Sequence, residues 1–272
     1  MTECTVEKMF LYPVKGCRAV DVEEVEIAAT GFARDRGYVI LYEDGFANLK
    51  SIPALSRVVV ALEENGLKFN ALGHEDFVHT RQIKGSETIM QFYADEVSIV
   101  DQGEAAANWL SEVVGVDVRL AILKENFDRN LPVDVLQAAH GVEQDGFCDL
   151  SPMLLVNAAT LDELNRQLSA EIPVERFRCN IVVRGLDPFA EDEIKSYQYK
   201  KELSLSHVAA CERCVIINTD HMTGNMNKEP LQILHGSRRI EGGYSSGVRF
   251  GNYFNVSGRG RLSVGDTLIA GG

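Results

Sequence analysis

Apolar and polar positions alternate in short runs over the first hundred residues, the pattern of strands with one face buried. Val6 to Val14 opens the series, and Val20-Asp21-Val22 and Val25-Glu26-Ile27 follow. Tyr38-Val39-Ile40-Leu41-Tyr42 is β-branched and aromatic and runs into Asp44-Gly45, a hairpin signal because Gly supplies the positive φ of a tight turn. Asn65-Gly66 predicts a second hairpin between Val58–Leu62 and Leu67–Phe69, and Glu96–Val100 is a further strand. From Glu104 to Val114 the period changes: Ala106, Trp109, Leu110 and Val113 fall on one helical face, and Gly115 predicts the stop.

The second half repeats the strand signature. Leu123 to Gly146 is weakly periodic, contains Pro132 and reads as a linker or interdomain loop, which places a boundary at 122 and predicts domains over 1–122 and 123–272. Ser151–Val156 reads as a strand. Thr160 and Glu163 form a capping-box pattern ahead of a helix with a Leu161, Leu164 and Leu168 stripe. Strands are expected at Asn180–Val183, Leu203–Val208, Val215–Asn218 and Leu262–Ile269, the last broken by a Gly265-Asp266 turn. Gly242–Gly247 lacks the flanking strand and helix of a nucleotide loop and reads as a flexible loop. Glu191, Asp192 and Glu193 read as a solvated charged turn. Many strands and few helices predict a mostly β or α+β fold of barrel type.

Composition narrows the function classes. The chain has 272 residues, 45% of them apolar, and a formal net charge of -13. Such acidity argues against nucleic acid or an anionic membrane as partner, so any anion site must be a local cluster of basic residues. No apolar run approaches a membrane span and the first residues lack a signal-peptide pattern, which predicts a cytoplasmic protein.

The six cysteines, at 4, 17, 148, 179, 211 and 214, lack the spacing of a disulfide scaffold. Cys211-Glu212-Arg213-Cys214 has three ordinary meanings: half a zinc site, a redox pair, or coincidence. A redox pair wants a helix start, whereas a β-branched run follows here. On a strand, residues three apart face opposite ways, and no second Cys-x-x-Cys completes a zinc site. One cysteine is then functional and the other packed. Arg213 beside Cys214 favours a thiolate, while a small buried Cys at the start of a core strand explains the same local sequence equally well.

Arg213-Cys214, then Asp220-His221-Met222-Thr223-Gly224 and Lys228-Glu229-Pro230-Leu231, resemble the pattern of the MOSC-domain family, in particular bacterial relatives of the mitochondrial amidoxime-reducing component. Tyr12-Pro13-Val14-Lys15-Gly16-Cys17 and Arg34-Asp35-Arg36-Gly37-Tyr38 resemble elements of that family's N-terminal β-barrel. Asp149-Leu150-Ser151-Pro152 and Arg176-Phe177-Arg178-Cys179-Asn180 resemble later segments. The resemblance implies an N-terminal MOSC β-barrel followed by a MOSC β-barrel domain. It also implies a molybdenum cofactor, molybdopterin with molybdenum, ligated by Cys214 as the metal-binding and catalytic residue. Lys15, Gly16, Arg36, Leu150, Ser151, Arg178, Asn180, Glu212 and Arg213 complete the expected cofactor site. Gly16 stands where relatives commonly have Ser, Leu150 where they often have Thr, and Lys50 where many have Arg, so Gly16 and Leu150 can offer only backbone contacts.

The implied activity is reduction of N-hydroxylated compounds such as amidoximes, hydroxylamines and N-hydroxylated bases. No ferredoxin-type Cys-x₄-Cys-x₂-Cys pattern occurs, so no iron–sulfur cluster is expected and electrons would come from a separate reductase or ferredoxin. A second class is a sulfur carrier or cofactor-handling module with a persulfide on Cys214, as in the MOSC segment of molybdenum-cofactor sulfurases; their pyridoxal-phosphate desulfurase half has no counterpart here.

Overall fold

A computed structural model describes residues 2–131, 134–245 and 247–272; Pro132 and Ser246 lie outside the described residues. Seven strands close into a barrel: β1 (Thr2–Leu11), β2 (Met153–Asn157), β3 (Ile181–Arg184), β4 (Ser196–Tyr199), β5 (Leu203–Glu212), β6 (Arg249–Gly258) and β7 (Thr267–Gly271). Their order is β3-β2-β6-β5-β4-β7-β1, and β1 pairs back onto β3 to close the ring. All pairs are antiparallel except β2 with β3. Closure leaves the ring without an unpaired edge.

Alternation explains how the barrel fills. Cys4 and Val6 of β1 point inward with Leu155, Ile181, Tyr197, Leu205 and Phe254. β2 is buried on both faces, because its outward Leu154 and Val156 meet the helices α2 (Ala158–Asn165) and α3 (Glu229–Ser237).

The other half of the chain forms a five-stranded antiparallel sheet of Glu87–Phe92, Asp95–Asp101, Arg119–Leu123, Tyr38–Tyr42 and Gly45–Phe46, in that order. The strands Val59–Glu63, Gly66–Asn70 and Phe77–Thr80 form a separate meander. The helix expected at Glu104–Val114 is present and packs Leu110 and Val113 between these layers. Gly115 ends it in the left-handed region (φ +79°), donating its N–H to Ser111 O. This helix, α1, is the first in chain order. Both expected hairpins form, with Tyr42 opposite Gly45 and Glu63 opposite Gly66. The mostly β, barrel-type architecture is as expected, and among the described residues no helix is long and apolar enough to cross a membrane.

Four local readings are corrected. Val215–Asn218 is a 3₁₀ turn, not a strand: β5 stops at Glu212, and Asn218 is held by the Leu231 and Asn227 N–H groups. The cap of α2 is Asn157, whose side chain accepts from Ala159 N, while Thr160 is buried and its hydroxyl donates to Glu191 instead. Glu191 and Asp192 are not solvated. Glu191 is bonded to Asn157 and Thr160, and Asp192 pairs with Arg238 and Arg249. The stretch from 123 to 146 is also more structured than a linker. Phe127–Asp128 pairs with Glu143–Gln144 and Arg129 is fully buried against Asp95.

Candidate functional site

β5 has shifts of register against β6 between His207 and Ala209 and again between Ala210 and Glu212. A bulge breaks the two-residue alternation of a strand. Cys211 and Cys214, expected on opposite faces, consequently line the same cleft, with Cys211 buried and Cys214 partly exposed. Burial pushes the Cys211 thiol up and raises that of neighbouring Cys148 to about 12, so both are inert packing groups.

Arg213, between them, points into the protein. Its Nε and Nη2 donate to Phe250 O at 2.8 and 2.5 Å, and its Nη1 to Phe177 O at 2.8 Å. Phe177 and Phe250 stack at 3.9 Å, and the guanidinium carbon sits 5.3 Å from the Phe177 ring centre. These contacts hold the guanidinium inside the cleft wall next to Cys214. Glu212 is committed elsewhere: its carboxylate accepts the N–H groups of Tyr244, Ser245 and Gly247. The glycine-rich loop read as flexible is therefore fastened to the strand that carries the cysteine pair.

Two further arginines reach the cleft from left-handed backbone positions, Arg36 at φ +50° and Arg178 at φ +52°. Their guanidinium carbons lie 4.8 and 4.3 Å from the ring centre of buried Tyr12. Arg36 is ion-paired with Asp35 and donates to Arg178 O at 3.0 Å; Arg178 donates to Cys17 O at 2.8 Å. Asn180 is a structural hub, donating to Asp35 and Phe10 O and accepting from Leu154 N. Ser151 donates to Phe254 O at 2.6 Å.

Seven of the ten residues expected in the cofactor site, Arg36, Ser151, Arg178, Asn180, Glu212, Arg213 and Cys214, line this one cleft. Lys15, Gly16 and Leu150 do not. Lys15 is buried among Phe46, Phe92 and Tyr93 and touches the rim through its ion pair with Asp149. Gly16 (φ +90°) faces Leu55, where an added Cβ would come within 3.0 Å of a methyl carbon. Leu150 packs with Leu136, Ala139, Val208 and Ala209.

Residue-by-residue reading also missed Asp149 and Arg176, although both lie inside quoted motif segments. Each line the wall. Arg176 pairs with Asp220 at 2.7 Å, and its Nε is buried with no hydrogen-bond partner among the described residues. His221 reports the local potential: burial together with Arg178, Arg176 and Arg18 drives its pKa down to about 3. Four guanidinium groups thus face two carboxylates on the wall of a chain whose net charge is -13. The cleft wall is locally rich in basic groups beside a thiol, with Arg36 and Arg176 ion-paired to Asp35 and Asp220.

Comparison with known proteins gives the same frame. The chain matches the MOSC N-terminal beta barrel domain over residues 3–117 and the MOSC domain over residues 142–269. It is 31% identical to mitochondrial amidoxime reducing component 2 of Macaca fascicularis, over 97% of this chain and 82% of that protein. It is 28% identical to mitochondrial amidoxime-reducing component 1 of Homo sapiens over the same shares. It is also 28% identical to the molybdenum cofactor sulfurase of Danio rerio, over 98% of this chain but 34% of that longer protein. With two family models in sequence along one chain, and with amidoxime-reducing components matching along nearly all of it, this protein belongs to the MOSC-domain family, in the group that joins a MOSC N-terminal β-barrel domain to a MOSC domain.

Proposed function

We propose that the protein holds a molybdenum cofactor at Cys214 and reduces N-hydroxylated compounds with electrons from a separate donor protein. The observation that carries this reading is the part-exposed Cys214 thiol on a cleft walled by Arg36, Arg176, Arg178 and Arg213. The residues present fit the group. A pterin phosphate is an anion, and the unpartnered buried N–H of Arg176 is a donor awaiting an acceptor. A thiolate suits a thiophilic metal, and among the described residues no group of three or more His, Cys, Asp or Glu is disposed to hold a bare ion. Under this reading the 123–272 segment supplies the thiol and the 1–122 segment contributes Arg36 to the same cleft.

When bound, the cofactor supplies a two-electron couple for cleaving the N–O bond: an amidoxime, two electrons and two protons give an amidine and water. The chain's own part is placement and electrostatics. Arg213, bonded to the Phe177 and Phe250 carbonyls, fixes the backbone that presents the Cys214 sulfur to the cleft. Arg36 and Arg178, clamped on Tyr12, are preorganised for an anion and need no reorganisation when it arrives.

The test is metal content. Protein purified from cells competent for cofactor synthesis should carry about one molybdenum per chain, and Cys214→Ser should lose most of it if the thiolate is the ligand. The loaded parent should reduce benzamidoxime when an electron donor is added. A persulfide on Cys214 without reductase activity would instead point to sulfur or cofactor handling, the role named in the Danio rerio relative.

A further inference from the structure

Among the described residues the cleft wall carries two carboxylates, and they are used differently. Glu212 spends Oε1 on Tyr244 N and Oε2 on Ser245 N and Gly247 N. Asp149 receives both of its side-chain donors, the Lys15 ammonium and the Tyr93 hydroxyl (2.7 Å), on Oδ1. Its Oδ2 has no hydrogen-bond partner among the described residues, and the side chain is 51% exposed. The other side-chain acceptor close by, Asn180 Oδ1, already takes Leu154 N. Asp149 Oδ2 is thus the carboxylate oxygen left without a donor on this wall among the described residues.

Its orientation is built in from outside the barrel. Tyr93 sits at the tip of the hairpin joining Glu87–Phe92 to Asp95–Asp101, at φ +56°, with Phe46 and Phe92 packed on its ring at 5.2 and 5.0 Å. Buried Arg129 ties that tip to the rim, donating to Asp95 Oδ2 at 2.7 Å and to the main-chain oxygen of Asp149 at 2.5 Å. A tyrosine held in an uncommon backbone conformation, with its hydroxyl on Oδ1 of a rim carboxylate, leaves Oδ2 as the oxygen open to a ligand.

We infer that Asp149 is the specificity-determining carboxylate of this cleft, accepting through Oδ2 an N–H that the substrate carries beside its N-hydroxyl group, and that Tyr93 is the residue that positions it. This rests on the reductase reading and sharpens it. Favoured substrates are amidoximes and N-hydroxyguanidines, which place an NH₂ group on the carbon that bears N–OH; simple oximes, lacking that NH₂, lose the contact.

The test separates recognition from turnover by using the amidine product as a probe. Benzamidinium is titrated calorimetrically into the purified, cofactor-competent parent, Asp149→Asn and Tyr93→Phe, with benzyltrimethylammonium as a cation that has no N–H. The parent should prefer benzamidinium, Asp149→Asn should bind it about 10-fold or more weakly, and Tyr93→Phe roughly 3-fold more weakly, as expected for loss of a charge-assisted hydrogen bond and of its support. With benzamidoxime the same changes should appear mainly in KM. Thermal melts identify a variant that has lost its fold, and Tyr93→Phe, which removes one hydroxyl, then carries the test. Equal binding of benzamidinium by the parent and by a folded Asp149→Asn, or no preference over benzyltrimethylammonium, overturns the inference. Reduction of benzamidoxime by Asp149→Asn with unchanged KM would sink the recognition role and leave the reductase reading standing. Loss of benzamidinium binding in Asp149→Asn, in a protein that neither holds molybdenum nor reduces benzamidoxime, would do the reverse.

Discussion

Glu191 has no exposed surface, yet it carries a carboxyl group. Its Oε2 accepts from Asn157 and Thr160, and its Oε1 has no partner among the described residues. Burial raises its pKa above the usual carboxylate range, against the smaller downward pull of those two hydrogen bonds. The folded state therefore binds the proton more tightly than the unfolded chain. Its contribution to stability is present below the unfolded pKa and is lost as pH rises through the raised folded value. Comparing urea unfolding of the parent and Glu191→Gln from pH 4 to 8 should show the parent losing stability relative to the variant as pH rises; a constant difference would mean that Glu191 is not shifted. The residue also marks a limit of reading in one dimension. Three consecutive acids look solvated until Arg238 and Arg249 arrive from far along the chain to pair with the middle one. The places of Cys214, Arg36, Arg178 and Arg213 on one cleft were legible because they sit in ordered motifs, whereas Arg176 was passed over inside one. Tyr93 was not, since its role depends on a hairpin tip meeting a loop more than fifty positions away.

At the level of elements, periodicity carried well wherever one face is simply buried. α1, both early hairpins and the barrel strands at 151–156 and 203–208 follow from it. It failed where side chains or turns take over backbone groups. The β-branched run at 215–218 coils because the strand ends at a bulge, and the apparent capping box at Thr160 dissolves because Glu191 claims its hydroxyl. The segment between residues 123 and 146 is organised around Arg129, whose guanidinium is 1% exposed and joins the 92–95 turn to the rim of the cleft. Arg129→Ala leaves Asp95 buried without its partner, and unfolding by urea should show a loss of about 3 to 5 kcal/mol. A loss under about 1 kcal/mol would show that water replaces the guanidinium without difficulty.

Across the whole molecule, the two halves share strands. β1 lies between β3 and β7, and Glu24–Ala28 pairs with Gly260–Ser263. Trp109, the single tryptophan of the chain, packs on Phe69 and Phe77 in the core cluster of the other half and reports on that half. Its fluorescence and the far-ultraviolet dichroism of the whole chain should lose their native values at the same urea concentration, as for one cooperative unit. Two separated midpoints would show that the shared strands do not couple the halves.

The pairing of Thr2 with Ala270 also sets a timetable for synthesis. β1 borders β7, so the ring cannot shut before β7 has been made. Val6 and Met9, fully buried in the finished barrel, stay open to other nascent chains until β7 arrives. Closure between such distant segments is intrinsically slow, and until it happens the apolar inner face of β1 is exposed to aggregation.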